Sequence, residues 1–153
     1  MKLKEITEEI ILASKSKVRK EILDKNNIKN KVVPSQVDED QAKESLLEAG
    51  ANPMLISKNL AELKSVKVSK KHPDKIVLGA DSVISHDNNL INKPSSREEA
   101  LEILKKLNNS THFLISSVCI SKNGSMLWNY TDTSELKMKN LSLNELKNYL
   151  SKI

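Results

Sequence analysis

Cysteine, glycine, proline and aromatic residues are all scarce in this chain of 153 residues: one Cys, three Gly, four Pro and 3% aromatics. A single cysteine, Cys119, forms no internal disulfide, so the fold is not a disulfide scaffold and the usage suits a reducing compartment. So little glycine and proline excludes collagen-like repeats and long flexible linkers. Few aromatics leave few of the stacking platforms on which single-stranded nucleic acid is held. No apolar run approaches the roughly 18 residues of a membrane span, and the N-terminus lacks the basic, apolar and small-residue regions of a secretory leader. The expectation is a cytoplasmic protein with no membrane partner.

What is present is lysine. The net charge is +5 and the pI about 9.2, which favours a polyanionic ligand without separating DNA from a nucleotide. The lysines are spread through Lys-Asn-Ser-Ile-rich sequence rather than clustered, so nucleic-acid binding is not the expected function. With 38% hydrophobic residues, a chain of this length buries one substantial core, and one domain over 1–153 is expected.

Strand and helix patterns alternate. Residues 9–13 form an apolar run that passes into Ser14-Lys15-Ser16-Lys17-Val18-Arg19 and then into helical spacing at Val18, Ile22 and Leu23. Residues 31–33 read as a second strand stopped by Pro34. Val37-Asp38-Glu39-Asp40 opens a helix with Ala42, Leu46 and Leu47 that ends near Gly50. Asn52-Pro53 restarts the chain as a cap and first-turn proline, with Ile56, Leu60 and Leu63 as the buried stripe and Lys64 at its margin. Residues 76–84 predict a central strand covered on both faces. The turn at His86–Asn89, the pair Leu90-Ile91 and the loop Asn92-Lys93-Pro94 come next. Ser96 with Glu99 starts a helix whose buried face is Ala100, Leu101, Leu104 and Leu107. Residues 113–120 read as a strand turning at Asn123-Gly124 into Met126-Leu127-Trp128. A further strand is expected near 134–138, then a helix capped by Ser142 and Glu145 carrying Leu143, Leu146 and Leu150. The fold class is α/β, a mixed twisted sheet flanked by helices.

Several residues have chemical and structural readings side by side. Asp81 interrupts an apolar strand, where a carboxylate calls for a cation or a hydrogen-bond network; the alternative is an end-of-strand cap. Glu39 either complements a helix dipole or, with Asp81, holds one Mg²⁺ while leaving positions for water and phosphate oxygens. Ser14, Ser16 and Arg19 lie where a strand opens a helix, a location favourable to phosphate, or they simply cap that helix; no glycine-rich P-loop is present. Lys64 and Lys93 read as surface lysines unless a site claims them. His112 suggests a structural hydrogen bond, and Cys119 and Trp128 suggest packing.

Taken in order, these motifs resemble the Maf family of nucleotide pyrophosphatases across nearly the whole chain. Residues 12–19 are similar to its opening strand-loop motif, 37–39 to its acidic motif and 60–64 to its lysine-bearing helix. Gly79-Ala80-Asp81-Ser82-Val83 resembles its catalytic aspartate strand, Asn92-Lys93-Pro94 its second lysine loop, and His112 with Ser116 a strand that usually reads His-x-Val-x-Thr. The resemblance implies a Maf/Ham1-like (ITPase-like) fold and a hydrolase acting on acid anhydrides, which cleaves a nucleoside triphosphate to monophosphate and pyrophosphate in house-cleaning of the nucleotide pool. It implies Mg²⁺ or Mn²⁺ on Glu39 and Asp81, Asp81 acting on the water, Arg19, Lys64 and Lys93 neutralising the triphosphate, and Ser14 and Ser16 in the loop that binds it. It also implies a homodimer and a link to septum formation.

Three departures stand out. Val18 replaces the first of two consecutive arginines, as in a branch that looks associated with modified triphosphates, and leaves base preference open. Ser116 replaces a threonine. Family members continue for several tens of residues beyond the helix ending at Ile153, so the resemblance implies a shortened copy with metal and phosphate ligands intact, weaker base recognition and lower stability. Two other functions compete: a non-catalytic nucleotide-binding or regulatory remnant linked to cell division, and a basic nucleic-acid-binding protein.

Overall fold

The computed structural model describes residues 8–153; part of the N-terminal stretch read for a leader lies outside them. The elements run β1 (Ile10–Leu12), α1 (Lys17–Lys25), β2 (Asn30–Val32), α2 (Glu39–Glu48), α3 (Pro53–Lys71), β3 (Val77–His86), β4 (Asn89–Ile91), α4 (Arg97–Leu107), β5 (Thr111–Lys122), β6 (Ser125–Lys137) and α5 (Leu143–Ser151). Their sheet has the order β2-β1-β3-β5-β6, with β4 paired to β3 off this path. Strands β2, β1 and β3 are parallel neighbours, whereas β4, β5 and β6 add antiparallel pairs. The mixed α/β sheet is the expected class.

Short β1 is buried at every residue because helices cover both of its faces. Ile10 and Leu12 pack with Leu23 of α1, while Ile11 and Ala13 pack with Val68 of α3 and Val77. Cover on β3 is less complete than its apolar sequence predicts. Its odd residues are buried, but Ser82 is exposed and Ile84 half-buried, since the α1 cluster reaches only as far as Leu78.

Helix α3 is held by Asn52, whose Oδ1 accepts from the Leu55 amide at 2.9 Å, with Pro53 in the first turn. Its buried side is Ile56, Ser57, Leu60, Ala61, Lys64, Ser65, Val68 and Ser69, and Leu63 is exposed. The expected stripe is therefore rotated: small serines face the sheet because the helix comes very close to it. A Cβ added at Gly79 would lie 2.4 Å from the Ala61 carbonyl oxygen and 2.9 Å from Ser65. The hydroxyls buried there pair with one another, Ser57 with Ser117 at 2.9 Å and Ser65 with Ser121 at 2.8 Å, so burial leaves them satisfied.

Turns at Asp87-Asn88 and Asn123-Gly124 both have positive φ at each central residue, the geometry that matches strand twist in two-residue hairpins. Beyond the second turn, β6 is one strand rather than two, continuous opposite β5 with a bulge at Ile120/Ser121. It is exposed along most of its length. Trp128 is half exposed and stacks on Tyr130, correcting its reading as a packed residue; alternate residues of a strand share a face. Cys119 is buried, as expected.

The other helices are also less buried than their patterns predict. On α1, Val18 and Ile22 are exposed and only Leu23 is buried. On α4 only Leu107 is buried, and its expected capping box closes halfway: Ser96 accepts from the Glu99 amide, but the Glu99 carboxylate turns to Ser95. The α5 box is complete, with Leu146 buried and Leu143 exposed. On α2, Leu47 is exposed, while Ala42 and Leu46 rest on the cluster of Ile56, Leu60, Val83 and Ile115.

Candidate functional site

At the end of β1 the chain leaves the sheet through Ser14-Lys15-Ser16 and enters α1. Ser16 is the N-cap, accepting from the Arg19 amide at 3.3 Å. Ser14, nearly buried, accepts from the Ser16 amide at 3.2 Å and from Arg19 Nη1 at 2.9 Å. The guanidinium also donates to the Ala80 carbonyl at 3.2 Å and reaches Ser82 Oγ at 3.5 Å. The first turn of α1 is thereby fastened to β3. Capping accounts for Ser16, and Ser14 and Arg19 do more than cap.

Asp81 sits in the middle of β3, which continues to His86, so it does not cap the following turn. Its neighbour is Lys64 of α3. Lys64 is buried, not marginal, and its ammonium donates to the Ala80 carbonyl at 3.2 Å and to Asp81 Oδ1 at 3.3 Å. It also pairs with Glu39 Oε1. Glu39 is free for this because Asp38, one residue earlier, is the N-cap of α2 and accepts from the Gln41 amide at 3.0 Å. Two carboxylates from separate elements thus converge on one buried ammonium.

Burial is the largest influence on Asp81 and pushes its proton affinity above the ordinary aspartate range. The Lys64 charge and hydrogen bond pull the other way, and the Glu39 charge adds to the rise. Burial wins because Asp81 Oδ2 is itself buried without a hydrogen-bond partner, leaving the anion half satisfied.

These groups open on a cavity of about 590 Å³ lined by Ser14, Lys15, Ser16, Arg19, Ser35, Gln36, Glu39, Lys43, Lys64, Asp81, Ser82 and Lys93, among others. Every residue singled out from the sequence as catalytic, metal-binding or substrate-binding is therefore at one place. Lys93 is exposed and reaches the wall from the loop after β4. His112 does not line this cavity. It is buried on β5 with Nδ1 lacking a partner, so the structural hydrogen bond expected for it is not made at that atom. Ser116 bonds Ser82 Oγ at 2.9 Å.

Glu39 and Asp81 are hard oxygen donors, and the unpartnered Asp81 Oδ2 is a ligand atom without a ligand inside the protein, so the pair fits Mg²⁺ or Mn²⁺. Among the described residues no group of three or more His, Cys, Asp or Glu is arranged for a metal. A two-carboxylate set leaves other positions to water and phosphate oxygens, as Mg²⁺ prefers. The sequence reading missed Lys15, Lys43 and Ser82. Lys43 had a signal: it lies one helical turn after Glu39.

Among the described residues no helix is long and apolar enough to cross a membrane. The fold resembles a HAM1 protein from Coxiella burnetii, with a TM-score of 0.52 at 16% identity over 84% of this chain and 72% of that one. A Mycobacterium abscessus structure titled nucleoside-triphosphatase / dITP/XTP pyrophosphatase matches with a TM-score of 0.51 at 12% identity over 85% and 74%. Sequence likeness is closer. A protein of Pelagibacter ubique named nucleoside triphosphate pyrophosphatase is 62% identical over 97% of this chain and 76% of its own length. A 7-methyl-GTP pyrophosphatase of Brucella abortus is 30% identical over 97% and 74%. The family model described as Maf-like protein matches residues 9–153, and the chain belongs to the Maf-like protein family.

Proposed function

We propose that the chain is a nucleoside triphosphate pyrophosphatase, hydrolysing its substrate to the nucleoside monophosphate and pyrophosphate with a divalent cation held by Glu39 and Asp81. The observation that carries this reading is the convergence of Glu39 and Asp81 on Lys64 at the wall of a cavity rich in cations. The name of the 62% identical relative supports it. When bound, Mg²⁺ or Mn²⁺ would supply charge neutralisation and Lewis-acid polarisation of phosphate oxygens.

The chain's own residues supply the rest. Ser14, Ser16 and the amides of their loop hold phosphate at the start of α1, where backbone N–H groups and the helix dipole favour anions. Arg19, Lys64 and Lys93 neutralise the nonbridging oxygens, the main demand of phosphoryl-group hydrolysis. Asp81 orients the attacking water or takes its proton. A bond forms from water oxygen to the α-phosphorus as the bond to the bridging oxygen breaks, and pyrophosphate leaves. The preference for canonical or methylated bases is left to the assay, since the Brucella relative is named for a methylated guanosine triphosphate.

The test is pyrophosphate release from a panel of canonical and methylated triphosphates with Mg²⁺ or Mn²⁺, and with chelator. Release from at least one triphosphate, abolished by chelator, is the expected result. Nucleotide binding without release under any metal would favour the regulatory remnant instead. Salt-sensitive DNA binding without nucleotide binding would favour the nucleic-acid reading. The family resemblance also supports a homodimer, which sedimentation checks.

A further inference from the structure

Five cationic side chains line the cavity: Lys15, Arg19, Lys43, Lys64 and Lys93. Two are already engaged by the protein. Lys64 is held by Glu39, Asp81 and the Ala80 carbonyl, and Arg19 by Ser14, Ala80 and Ser82. Among the described residues, Lys15, Lys43 and Lys93 make no hydrogen bond or ion pair through their ammonium groups. Lys15 and Lys93 are exposed, so water solvates them freely, whereas Lys43 is half-buried.

Lys43 is four residues after Glu39 on α2. That order of Glu and Lys is the favourable one for a helical ion pair, and an i,i+4 pair does close on α1 between Lys20 and Asp24 at 3.4 Å. On α2 it does not close, because Glu39 turns to Lys64. The Lys43 charge is left facing the cavity, close enough to act on Asp81.

We propose that Lys43 is a phosphate-binding residue, contacting the polyphosphate chain of the substrate on the carboxylate side of the cavity. This rests on the triphosphate reading above. Arg19 and Lys64 share their charge between the substrate and acceptors of the protein, so part of the anion's charge is left to side chains that have no internal acceptor. Lys43 loses least by binding, since it is already partly desolvated and fixed to a helix.

The decisive probe is inorganic tripolyphosphate with Mg²⁺, titrated calorimetrically into wild type, Lys43→Met, Lys43→Arg and Lys58→Met. Lys58 is an exposed lysine of α3 beside a different groove, near Asn59 and Thr131. Lys43→Met is expected to weaken binding about tenfold, or ~1.4 kcal/mol, with Lys43→Arg near wild type and Lys58→Met unchanged. In turnover the loss should fall on KM with kcat little altered, as for a contact made equally in ground and transition states. Equal binding by wild type and Lys43→Met, an equal loss in Lys58→Met, or no tripolyphosphate binding by wild type would each overturn the assignment. Tripolyphosphate binding that depends on Lys43, in a protein releasing pyrophosphate from no triphosphate, would uphold Lys43 and sink only the hydrolysis reading.

Discussion

Asp81 is where stability and function oppose each other. An ionised carboxylate whose second oxygen is buried and unpartnered costs the fold free energy. Asp81→Asn is therefore expected to lower turnover by about 10²–10⁴-fold, the range of a lost acid–base group, with a melting temperature in chelator no lower than wild type. The sign follows from the direction of the shift. Because burial raises Asp81's proton affinity in the folded state, the folded chain takes up its proton at higher pH than the unfolded chain. The ionised form then destabilises the fold above the raised value, and this penalty fades as pH falls towards the ordinary aspartate range. The advantage of Asp81→Asn over wild type in melting temperature should be largest near neutrality and shrink on acidification. An advantage that grows as pH falls would mean that the carboxylate is stabilised where it sits. Lys64→Met leaves Glu39 and Asp81 facing each other without their shared cation, and is expected to lower stability by about 3–5 kcal/mol, as when one partner of a buried pair is removed, measured by urea unfolding.

At the scale of elements, the position of Lys64 depends on how closely α3 lies on β3. Gly79 sets that distance, since a methyl there meets backbone at Ala61 rather than the end of a flexible side chain. Gly79→Ala should cost about 1–3 kcal/mol, the usual range for overpacking. It should also lower kcat, because the helix that moves carries Lys64; unchanged stability would show that α3 yields without strain. A cap far from the cavity gives the contrast. Ser142→Ala removes the acceptor for the Glu145 amide at 3.2 Å and half of the α5 capping box, and should cost about 1 kcal/mol while leaving KM and kcat unchanged.

For the whole molecule, a ligand that binds only the folded chain raises its stability by mass action. A triphosphate with Mg²⁺ at about 100 times its dissociation constant should add about 2.7 kcal/mol. The resulting rise in melting temperature should weaken in Lys43→Met at the same nucleotide concentration. Equal shifts in the two proteins would place Lys43 outside the site.

The sequence alone determined the elements and most of the site's membership, because both depend on local patterns. Apolar period, caps at Asn52, Ser96 and Ser142, and the Asn123-Gly124 turn are properties of a few neighbouring residues, and so is the set of short motifs that carries Ser14, Arg19, Glu39, Lys64, Asp81 and Lys93. Tertiary structure decided which side chains are buried and what each one touches. Nothing near Lys64 in the sequence shows that it is buried between Glu39 and Asp81, and nothing near Asp81 shows that one oxygen lacks a partner. The serines of α3 read as polar, yet they face the sheet because Gly79 permits close approach and Ser117 and Ser121 supply partners. Nothing in the sequence shows that Glu39 turns away from Lys43, one helical turn further on, to pair with Lys64. Burial and charge pairing are sums over groups distant in the chain, and only the closed sheet with α3 against it brings those groups together.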